Sequence, residues 1–403
     1  MGTKNFRGVD TYTAALERIE LAYKLFDTMS VGFSGGKDST CVLNLTLEVA
    51  RHLNKLPVNV YFWDEEAIPY ETEDYVRRTY NSDEVQMDWY CVPVKHRNAC
   101  STKEPFWYPW ALEDKEKWVR DLPPEAITRI ENYNSDDIKS RLSIPELDGL
   151  SRPSKKYGTV GRLMGIRADE RLSRYLQVGS KDAAKREYNF IIPFSDKGAS
   201  GGKVLPVYDW TVFDVWQAPL KYDWDYNHSY SLEEMAGIPP ASQRCAPPFG
   251  EEPIQKLWRF PLCYPDVWEK MQDRVHGVRT AARYSTTELY AFNKTTKKPD
   301  DMAWEEWVLL QVQKHPKDLQ MLILTDVRRW ISSHFKKTND PILPTAIHPL
   351  TGLNWDMIVK IAIRGNTKGR RMPQSITPEK DPEEFNKRKK AYEKELEIES
   401  ADK

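Results

Sequence analysis

The hexapeptide SGGKDS at residues 34–39 combines residue types that bind phosphate. Its two glycines have no Cβ atom, so backbone N–H groups can approach phosphate oxygens closely. The lysine adds a positive charge, and the two serine hydroxyls can donate hydrogen bonds to the same group. The aspartate would repel a bare phosphate, so we expect it either to bind Mg²⁺ or to cap the helix that follows. The residues predicted to bind nucleotide phosphates are Ser34, Gly35, Gly36, Lys37, Asp38 and Ser39.

The hexapeptide is not a Walker A sequence. That motif requires a glycine five residues before the Gly-Lys pair and a Ser or Thr after the lysine. Val31 and Asp38 occupy those two positions. Kinase-like transfer of a γ-phosphoryl group is therefore disfavoured, and Lys37 and Asp38 are predicted to be catalytic in another reaction. A Gly-Gly turn with a surface lysine and no ligand is the alternative interpretation.

A second set of candidates lies in the segment 165–174, GIRADERLSR, after a predicted strand. An arginine at the carboxyl end of a strand can hold a phosphate or sulfate with its planar, bidentate guanidinium. Ordinary ion pairs along a helix face are the alternative. Gly165, Arg167 and Arg174 are predicted nucleotide-binding residues, and Arg167 is also a predicted catalytic residue.

Three carboxylates in other segments are further candidates. Asp64 follows the predicted strand at 58–63, and we predict that it is catalytic and that it holds Mg²⁺ together with Asp38. Glu71 opens the next predicted helix, where a capping role alone is the alternative. Asp214 is a candidate for a polar role towards the pocket. Asp209 or Thr211 is predicted to cap that helix, and structural capping is the favoured role of Asp209.

The five cysteines, at positions 41, 91, 100, 245 and 263, show no paired spacing, which favours reduced thiols. Cys245 is the candidate reactive thiol, and a buried loop cysteine is the alternative interpretation. Cys91, His96 and Cys100 lack the close ligand pair typical of zinc sites. We therefore predict neither a disulfide framework nor a zinc site.

Strands and helices alternate around these candidates. Helical periodicity covers 12–26 and 71–80, and β-branched or aromatic runs cover 29–33, 58–63 and 86–94. Residues 159–175 continue the alternation. This pattern predicts the α/β class, with a parallel twisted sheet that has helices on both faces. Residues 188–194 and 203–208 are predicted to form a hairpin or an edge excursion, and 211–217 a small helix.

The sequence suggests three regions. Residues 1–250 are predicted to form a nucleotide-binding domain, and its Trp-rich insertion at 97–158 is expected to pack over the ligand edge of the sheet. Residues 251–377 are predicted to form an α-rich domain, with helices at 304–314, 319–335 and 354–364. Residues 378–403 form a highly charged tail, either a solvated helix or a disordered end.

Composition restricts the class of protein. Of 403 residues, 59 are Lys or Arg and 60 are Asp or Glu, so a net charge of −1 provides no global attraction to nucleic acid or anionic membranes. Residues 364–371 have four positive charges, which suit local binding of a nucleic-acid backbone. An exposed basic loop is the alternative interpretation. The absence of an apolar leader or a run of about 18 apolar residues predicts a cytoplasmic protein with no membrane contact.

The hexapeptide resembles the PP-loop of the ATP pyrophosphatase superfamily, whose fold is similar to that of adenine nucleotide alpha hydrolases. Three further segments resemble its phosphoadenylyl sulfate (PAPS) reductase family: Asp64 with the Pro69–Thr72 segment, the Gly165–Arg174 segment, and the Pro206–Trp216 segment. The resemblance implies an adenine nucleotide, ATP or a PAPS-like compound, as the ligand. It covers about residues 10–260, and Arg171 stands where the family commonly has Ser.

The chain departs from the reductases in its cysteines. The reductases use a cysteine near the C-terminus, but residues 264–403 contain none. Four cysteines in the family spacing are also missing, so no iron–sulfur cluster is expected. The combination resembles the IbrA-like, non-reductase branch, which implies a ParB-like protein partner and a link to gene regulation.

These features lead to three functional hypotheses. The first is an enzyme that binds ATP with Mg²⁺ and adenylylates a second substrate, releasing pyrophosphate. The second is a PAPS-binding enzyme that transfers a sulfuryl group or sulfur, with Cys245 as a possible participant. The third is a nucleotide-dependent regulatory protein that acts with a protein partner or nucleic acid.

Overall fold

The computed structural model describes residues 8–101, 103–151, 154–194, 200–250, 253–284, 298–299, 301–315, 317–364, 375–379 and 381–401. The chain divides into two compact units between residues 286 and 287. The division predicted at residue 250 stays a prediction. Arg259 and Arg274, which follow that position, form buried ion pairs with Glu233 and Glu66 of the first unit.

A six-stranded sheet forms the centre of the first unit, in the order β3-β2-β1-β6-β8-β7. Its pairs are parallel except for β7 with β8, which is antiparallel. Strands β4 and β5 form a separate antiparallel pair. The strands are β1 Thr28–Gly32, β2 Val58–Trp63, β3 Val85–Tyr90, β4 His96–Arg97, β5 Phe106–Trp107, β6 Val160–Met164, β7 Ile191–Pro193 and β8 Gly201–Val204.

Helices flank the sheet, which confirms the predicted α/β class. The helices of the first unit are α1 Thr11–Leu25, α2 Lys37–His52, α3 Tyr70–Tyr80, α4 Ile144–Ser151, α5 Ser154–Tyr157, α6 Leu172–Gly179, α7 Lys181–Ala184, α8 Val212–Tyr222, α9 Ser229–Met235, α10 Phe260–Cys263, α11 Pro265–Arg274 and α12 Val278–Tyr284. The 3₁₀ helices are Leu112–Lys117, Ile138–Ser140, Ala168–Glu170, Pro240–Ser242 and Pro253–Arg259.

The order of the strands indicates at which edge of the sheet a ligand is expected to bind. The chain leaves β1 towards β2 and β3 and then returns to β6 on the other side of β1. In open parallel sheets, ligands bind beyond the carboxyl ends of the strands at such a reversal. The segments that follow β1 and β6 therefore border the predicted crevice.

The Trp-rich insertion contacts the carboxyl end of β2. The Trp110 indole N–H donates to the carbonyl of Asp64 at 2.8 Å, and the Trp110 ring packs edge-on against Trp118 with centroids 5.2 Å apart. The Trp110 side chain is among the largest that are fully buried. A buried indole N–H needs a hydrogen-bond acceptor, and Asp64 provides one here.

The second unit contains α13 Trp304–Gln313, α14 Lys317–Phe335, α15 Trp355–Arg364 and α16 Pro382–Ala401. Helices α13, α14 and α15 share a core of apolar residues. The charged tail is helical over α16, where Tyr392 and Leu396 pack against Leu343 and Ala346. Of the two alternatives for the tail, the helical one is observed over these residues.

Candidate functional site

Residues 34–39, hereafter the 34–39 loop, connect β1 to α2 as predicted. Gly35 has φ +68°, in the left-handed region that side chains disfavour, and a Cβ there would lie 3.1 Å from Thr72 Cγ2. Gly36 is the N-cap of α2 and has no side-chain cap. The N-terminus of α2 lies at this turn, and helix geometry favours an anion there.

Hydroxyl groups hold the 34–39 loop in shape. The Oγ atoms of Ser34 and Ser39 lie 3.1 Å apart, and the Ser34 N–H donates to Ser39 Oγ at 3.2 Å. Ser39 Oγ also donates to the Gly36 carbonyl at 2.9 Å, and the Gly36 N–H donates to Ser34 Oγ at 3.3 Å. These bonds pre-organise the loop before any ligand binds.

Asn227 supports the loop from a distant part of the chain. Its side-chain amide is fully buried and donates to the Gly35 carbonyl at 2.8 Å and to Thr72 Oγ1 at 2.9 Å. This contact joins the loop to the first turn of α3. The sequence analysis did not identify Asn227, because nothing in its local sequence distinguishes it from other turn residues.

Both donor groups of Lys37 point towards residues 230–243. Its backbone N–H donates to the Tyr230 hydroxyl at 3.0 Å, and its Nζ donates to the Gln243 carbonyl at 2.9 Å. Burial lowers the pKa of Lys37, and the neighbouring Asp38 opposes that effect. A partly desolvated lysine gains from a negatively charged partner, which is the property expected of a phosphate-binding lysine.

Arg167 lies beside the 34–39 loop, as predicted. Its Nε donates to Asp38 Oδ1, and its side chain is 6% exposed. Gly165 permits this approach, since a Cβ at this position would lie 2.7 Å from the Asp38 carbonyl carbon and from the Ser39 nitrogen. The carboxyl ends of β1 and β6 thus bring Lys37, Asp38 and Arg167 together.

Arg174 lies on α6 and pairs with Glu170, with Nε and Oε2 3.8 Å apart. This pair matches the alternative interpretation of ion pairing along the helix face. Arg171, at the position where the resembled family commonly has Ser, is exposed at the start of the same helix. A nucleotide-binding role for Arg174 stays a prediction.

Asp64 has surroundings that differ from the prediction. Its carboxylate is fully buried and accepts hydrogen bonds from Arg120 Nη2 at 2.6 Å, Trp89 Nε1 at 3.0 Å and the Glu66 N–H at 2.8 Å. These bonds turn its oxygens into the protein and away from the crevice. We therefore correct the expectation that Asp64 is a pocket-facing catalytic residue and metal ligand.

The neighbouring Glu66 extends this buried cluster. Its side chain is fully buried and accepts from the amides of Trp110 and Val119, at 2.8 and 3.1 Å, and from Arg274 Nε at 2.7 Å. Buried charges are tolerated when they are paired and hydrogen-bonded. The cluster therefore joins the insertion and α11 to the carboxyl end of β2.

The two other carboxylate candidates lie in the first turns of helices. Glu71 lies in the first turn of α3, where a capping role was the alternative interpretation. Asp214 forms a capping box with Thr211, whose N–H and hydroxyl donate to Asp214 Oδ2 at 2.6 and 2.7 Å. Thr211 is the N-cap, whereas Asp209 binds Arg18 through both carboxylate oxygens. Of the two predicted caps, Thr211 is the one observed. The capping role favoured for Asp209 was wrong, because its side chain reaches Arg18 on α1 instead.

Cys245 reaches the 34–39 loop, but its thiol is protected. Its Sγ lies 3.7 Å from the Tyr230 hydroxyl and 3.8 Å from the Ser34 carbonyl. Burial raises the pKa of Cys245 to about 11. The thiolate is the reactive form of cysteine, so this environment disfavours nucleophilic chemistry at neutral pH.

Glu65 and His96 form a titratable pair that the sequence analysis did not connect. Glu65 Oε1 and His96 Nε2 lie 3.1 Å apart, and each side chain is 23% exposed. Burial and the charge of Asp64 raise the pKa of Glu65 to about 8, and burial lowers the pKa of His96 to about 4. Both pKa shifts favour the neutral forms of Glu65 and His96.

A role for Asp38 in binding Mg²⁺ stays a prediction. Within the described ranges, no three His, Cys, Asp or Glu side chains are placed to hold a metal ion. Asp38 pairs with Arg167, and Asp64 pairs with Arg120.

Residues 365–371 of the predicted nucleic-acid segment lie outside the described residues. None of the helices in the described ranges is long and apolar enough to cross a membrane.

Two family models match the chain. Residues 28–233, just over half of its length, match the phosphoadenosine phosphosulfate reductase domain. Residues 237–376 match a domain of unknown function, DUF3440. The uncharacterized protein YbdN of Escherichia coli (strain K12) is 28% identical over an alignment of 390 residues. The match covers 93% of this chain and 93% of that protein.

The solved structures that are similar to part of this chain include a reductase and an adenylyltransferase. A phosphoadenylyl-sulfate reductase from Candida auris, in complex with phosphate, has 16% identity and a TM-score of 0.30, with coverage of 54% of this chain and 84% of that one. An FMN adenylyltransferase from Candida glabrata with FMN and the ATP analogue AMPCPP has 13% identity and a TM-score of 0.32, with coverage of 57% and 64%.

Proposed function

Because this chain belongs to the phosphoadenosine phosphosulfate reductase domain family, we propose that it is an enzyme that binds ATP, or a related adenine nucleotide, at the 34–39 loop. We propose that it adenylylates an oxygen of a second substrate and releases pyrophosphate. The observation that carries this proposal is the meeting of Lys37 and Arg167 at the N-terminus of α2. This arrangement suits a group with several negative charges.

The proposed reaction forms and breaks one bond each at the α-phosphorus. A nucleophilic oxygen attacks this phosphorus and loses its proton to solvent, and the bond from the phosphorus to the α,β-bridging oxygen breaks. Pyrophosphate leaves with the bonding electrons. Residues 34–39 would hold the pyrophosphate, and Lys37 and Arg167 would neutralise the charge that develops on its oxygens.

Arg167 has a partner that holds it for this role. Its ion pair with Asp38 fixes the guanidinium beside the loop while the chain is unliganded. A phosphate would compete with Asp38 for the same donor, since both offer anionic oxygens. No step of this proposal is routed through Mg²⁺.

The competing proposal is an enzyme that binds PAPS and transfers a sulfuryl group or sulfur. The surroundings of Cys245 argue against a mechanism in which its thiol reacts. The buried thiol with its raised pKa is a poor nucleophile. The regulatory alternative, with a ParB-like partner or with nucleic acid at 364–371, stays a prediction. The same applies to cytoplasmic localisation and to the absence of an iron–sulfur cluster.

Nucleotide binding and product identity test the proposal. Isothermal titration of the full chain with ATP and with PAPS gives the two Kd values, and Lys37→Ala should weaken binding at least 10-fold by removing a buried charge partner. Lys24→Ala is the matched control, because Lys24 is an exposed lysine on α1 that pairs with Glu20. Unchanged affinity of Lys37→Ala would contradict the site assignment.

Product analysis distinguishes the two nucleotides. The protein is incubated with cell extract and with ATP or PAPS, and the nucleotide products are identified. Adenylylation predicts pyrophosphate from ATP, dependent on Lys37. Release of adenosine bisphosphate from PAPS, with no pyrophosphate from ATP, would replace our proposal with the competing one.

A further inference from the structure

Residues 227–245, here called the cover segment, lie directly over the 34–39 loop. The Tyr230 hydroxyl and the Cys245 Sγ would be 3.3 and 3.4 Å from a Cβ atom on Gly36. Gly36 is the residue at which backbone amides are expected to meet a phosphate. The cover segment therefore occupies part of the space that a phosphate would enter.

The backbone N–H and the Nζ group of Lys37 both donate hydrogen bonds to the cover segment. The backbone amide donates to Tyr230, and Nζ donates to the Gln243 carbonyl. Tyr230 and Gln243 are 4% and 2% exposed, so these bonds are shielded from water. The backbone amide has a single hydrogen, so a phosphate can use it only when the bond to Tyr230 breaks. Nζ has three donors, and the Gln243 carbonyl holds one of them in place.

Part of the DUF3440 match holds the cover segment in place. Buried Arg259 donates to the carbonyls of Ser242 and Arg244, at 3.2 and 2.9 Å, and pairs with buried Glu233 at 3.2 Å. Gln243 Nε2 donates to the Ile238 carbonyl at 3.0 Å. These contacts fix the Gln243 carbonyl in front of Lys37, while Asn227 anchors the other end of the segment to the loop.

We propose that the cover segment is an autoinhibitory strap, in which the Tyr230 hydroxyl and the Gln243 carbonyl take the positions of phosphate oxygens until a nucleotide displaces them. This inference rests on the proposed nucleotide site. Binding then exchanges two internal hydrogen bonds of Lys37 for bonds to phosphate. The affinity measured for a nucleotide is reduced by the free energy needed to break them.

Tyr230→Phe tests the strap. Phenylalanine retains the packing against Trp216, whose ring centroid lies 5.1 Å away, and removes only the hydroxyl. The Lys37 amide is then free, so the Kd for ATP should fall about 2- to 10-fold, as expected for one hydrogen bond that need not be broken. Tyr392→Phe is the matched control, because the buried Tyr392 hydroxyl donates to the Pro341 carbonyl and neither residue belongs to the cover segment.

The Kd values are measured by isothermal titration of the full chain. An unchanged or higher Kd in Tyr230→Phe, with Tyr392→Phe equal to wild type, would overturn the strap. If no variant and no wild-type protein bound ATP or PAPS, the proposed function would fail and the inference with it. ATP binding that Tyr230→Phe does not strengthen would overturn the inference alone.

Hydrogen exchange of the wild-type chain provides a test that does not depend on the folding of a variant. Peptides covering 238–246 are followed with and without saturating ATP. A displaced strap predicts faster exchange of these amides when ATP is bound. Slower or equal exchange in a protein that binds ATP would contradict the proposal.

Discussion

The Gly165→Ala substitution tests whether β6 must pack directly on the 34–39 loop. The new Cβ would lie 2.7 Å from Asp38 C and Ser39 N, which are backbone atoms that cannot rotate away. These contacts must lengthen to at least 3.4 Å, so β6 and the start of α2 must separate. Overpacking of this kind costs about 1–3 kcal/mol of stability. Because Arg167 moves with β6, the loss of one charge-assisted hydrogen bond should raise the Kd for ATP about 10- to 100-fold.

Urea unfolding followed by circular dichroism gives the stability, and isothermal titration gives the Kd. Gly179→Ala is a matched control, since its Cβ would also lie 2.7 Å from a neighbour, the ring of Tyr175. Tyr175 is 38% exposed and can rotate, so this variant should keep the affinity of wild type. A Gly165→Ala protein with wild-type stability and affinity would refute the reasoning.

Three further substitutions address other parts of the structure. Arg120→Met leaves the buried Asp64 carboxylate without its ion pair and should cost about 3–5 kcal/mol in urea unfolding, whereas Arg129→Met, at an 81% exposed side chain, should change little. Thr211→Ala removes the capping box of α8 and should cost about 1 kcal/mol. Burial lowers the pKa of His334, so the unfolded chain takes up this proton first and the free energy of unfolding should fall as pH drops below about 6.5. His334→Gln should reduce that pH dependence relative to wild type, and an equal dependence would contradict the assignment.

The 34–39 loop could be predicted because its signal is local. Two glycines, a lysine and two serines stand between a predicted strand and a predicted helix, and the structure has β1 and α2 at those places. The alternation of strands and helices likewise predicted the parallel sheet. The order of the strands then brought Arg167 to Asp38 across 129 positions of sequence.

The partners of Lys37 could not be predicted in the same way. Tyr230 and Gln243 are separated from Lys37 by 193 and 206 positions, and neither belongs to a recognisable motif. Their role arises from the folding of the cover segment onto the loop. Long-range contacts of this kind depend on tertiary packing, which local periodicity does not encode.

Asp64 shows a second limit of sequence reasoning. Its position after β2 placed it correctly at the ligand edge of the sheet, but position alone does not determine which way a side chain points. Arg120, 56 positions later in the insertion, supplies the positive charge that turns the carboxylate inwards. The fold of that insertion could not be assigned from its sequence, so neither could this ion pair.

A crystal structure of the full chain soaked with ATP or a non-hydrolysable analogue would test the nucleotide site itself. Our account predicts phosphate density at the amides of residues 35–39, within hydrogen-bond distance of Lys37 Nζ and Arg167, with Gln243 displaced from Lys37. A nucleotide bound elsewhere, or a loop still occupied by Tyr230 and Gln243 at saturating ligand, would contradict it.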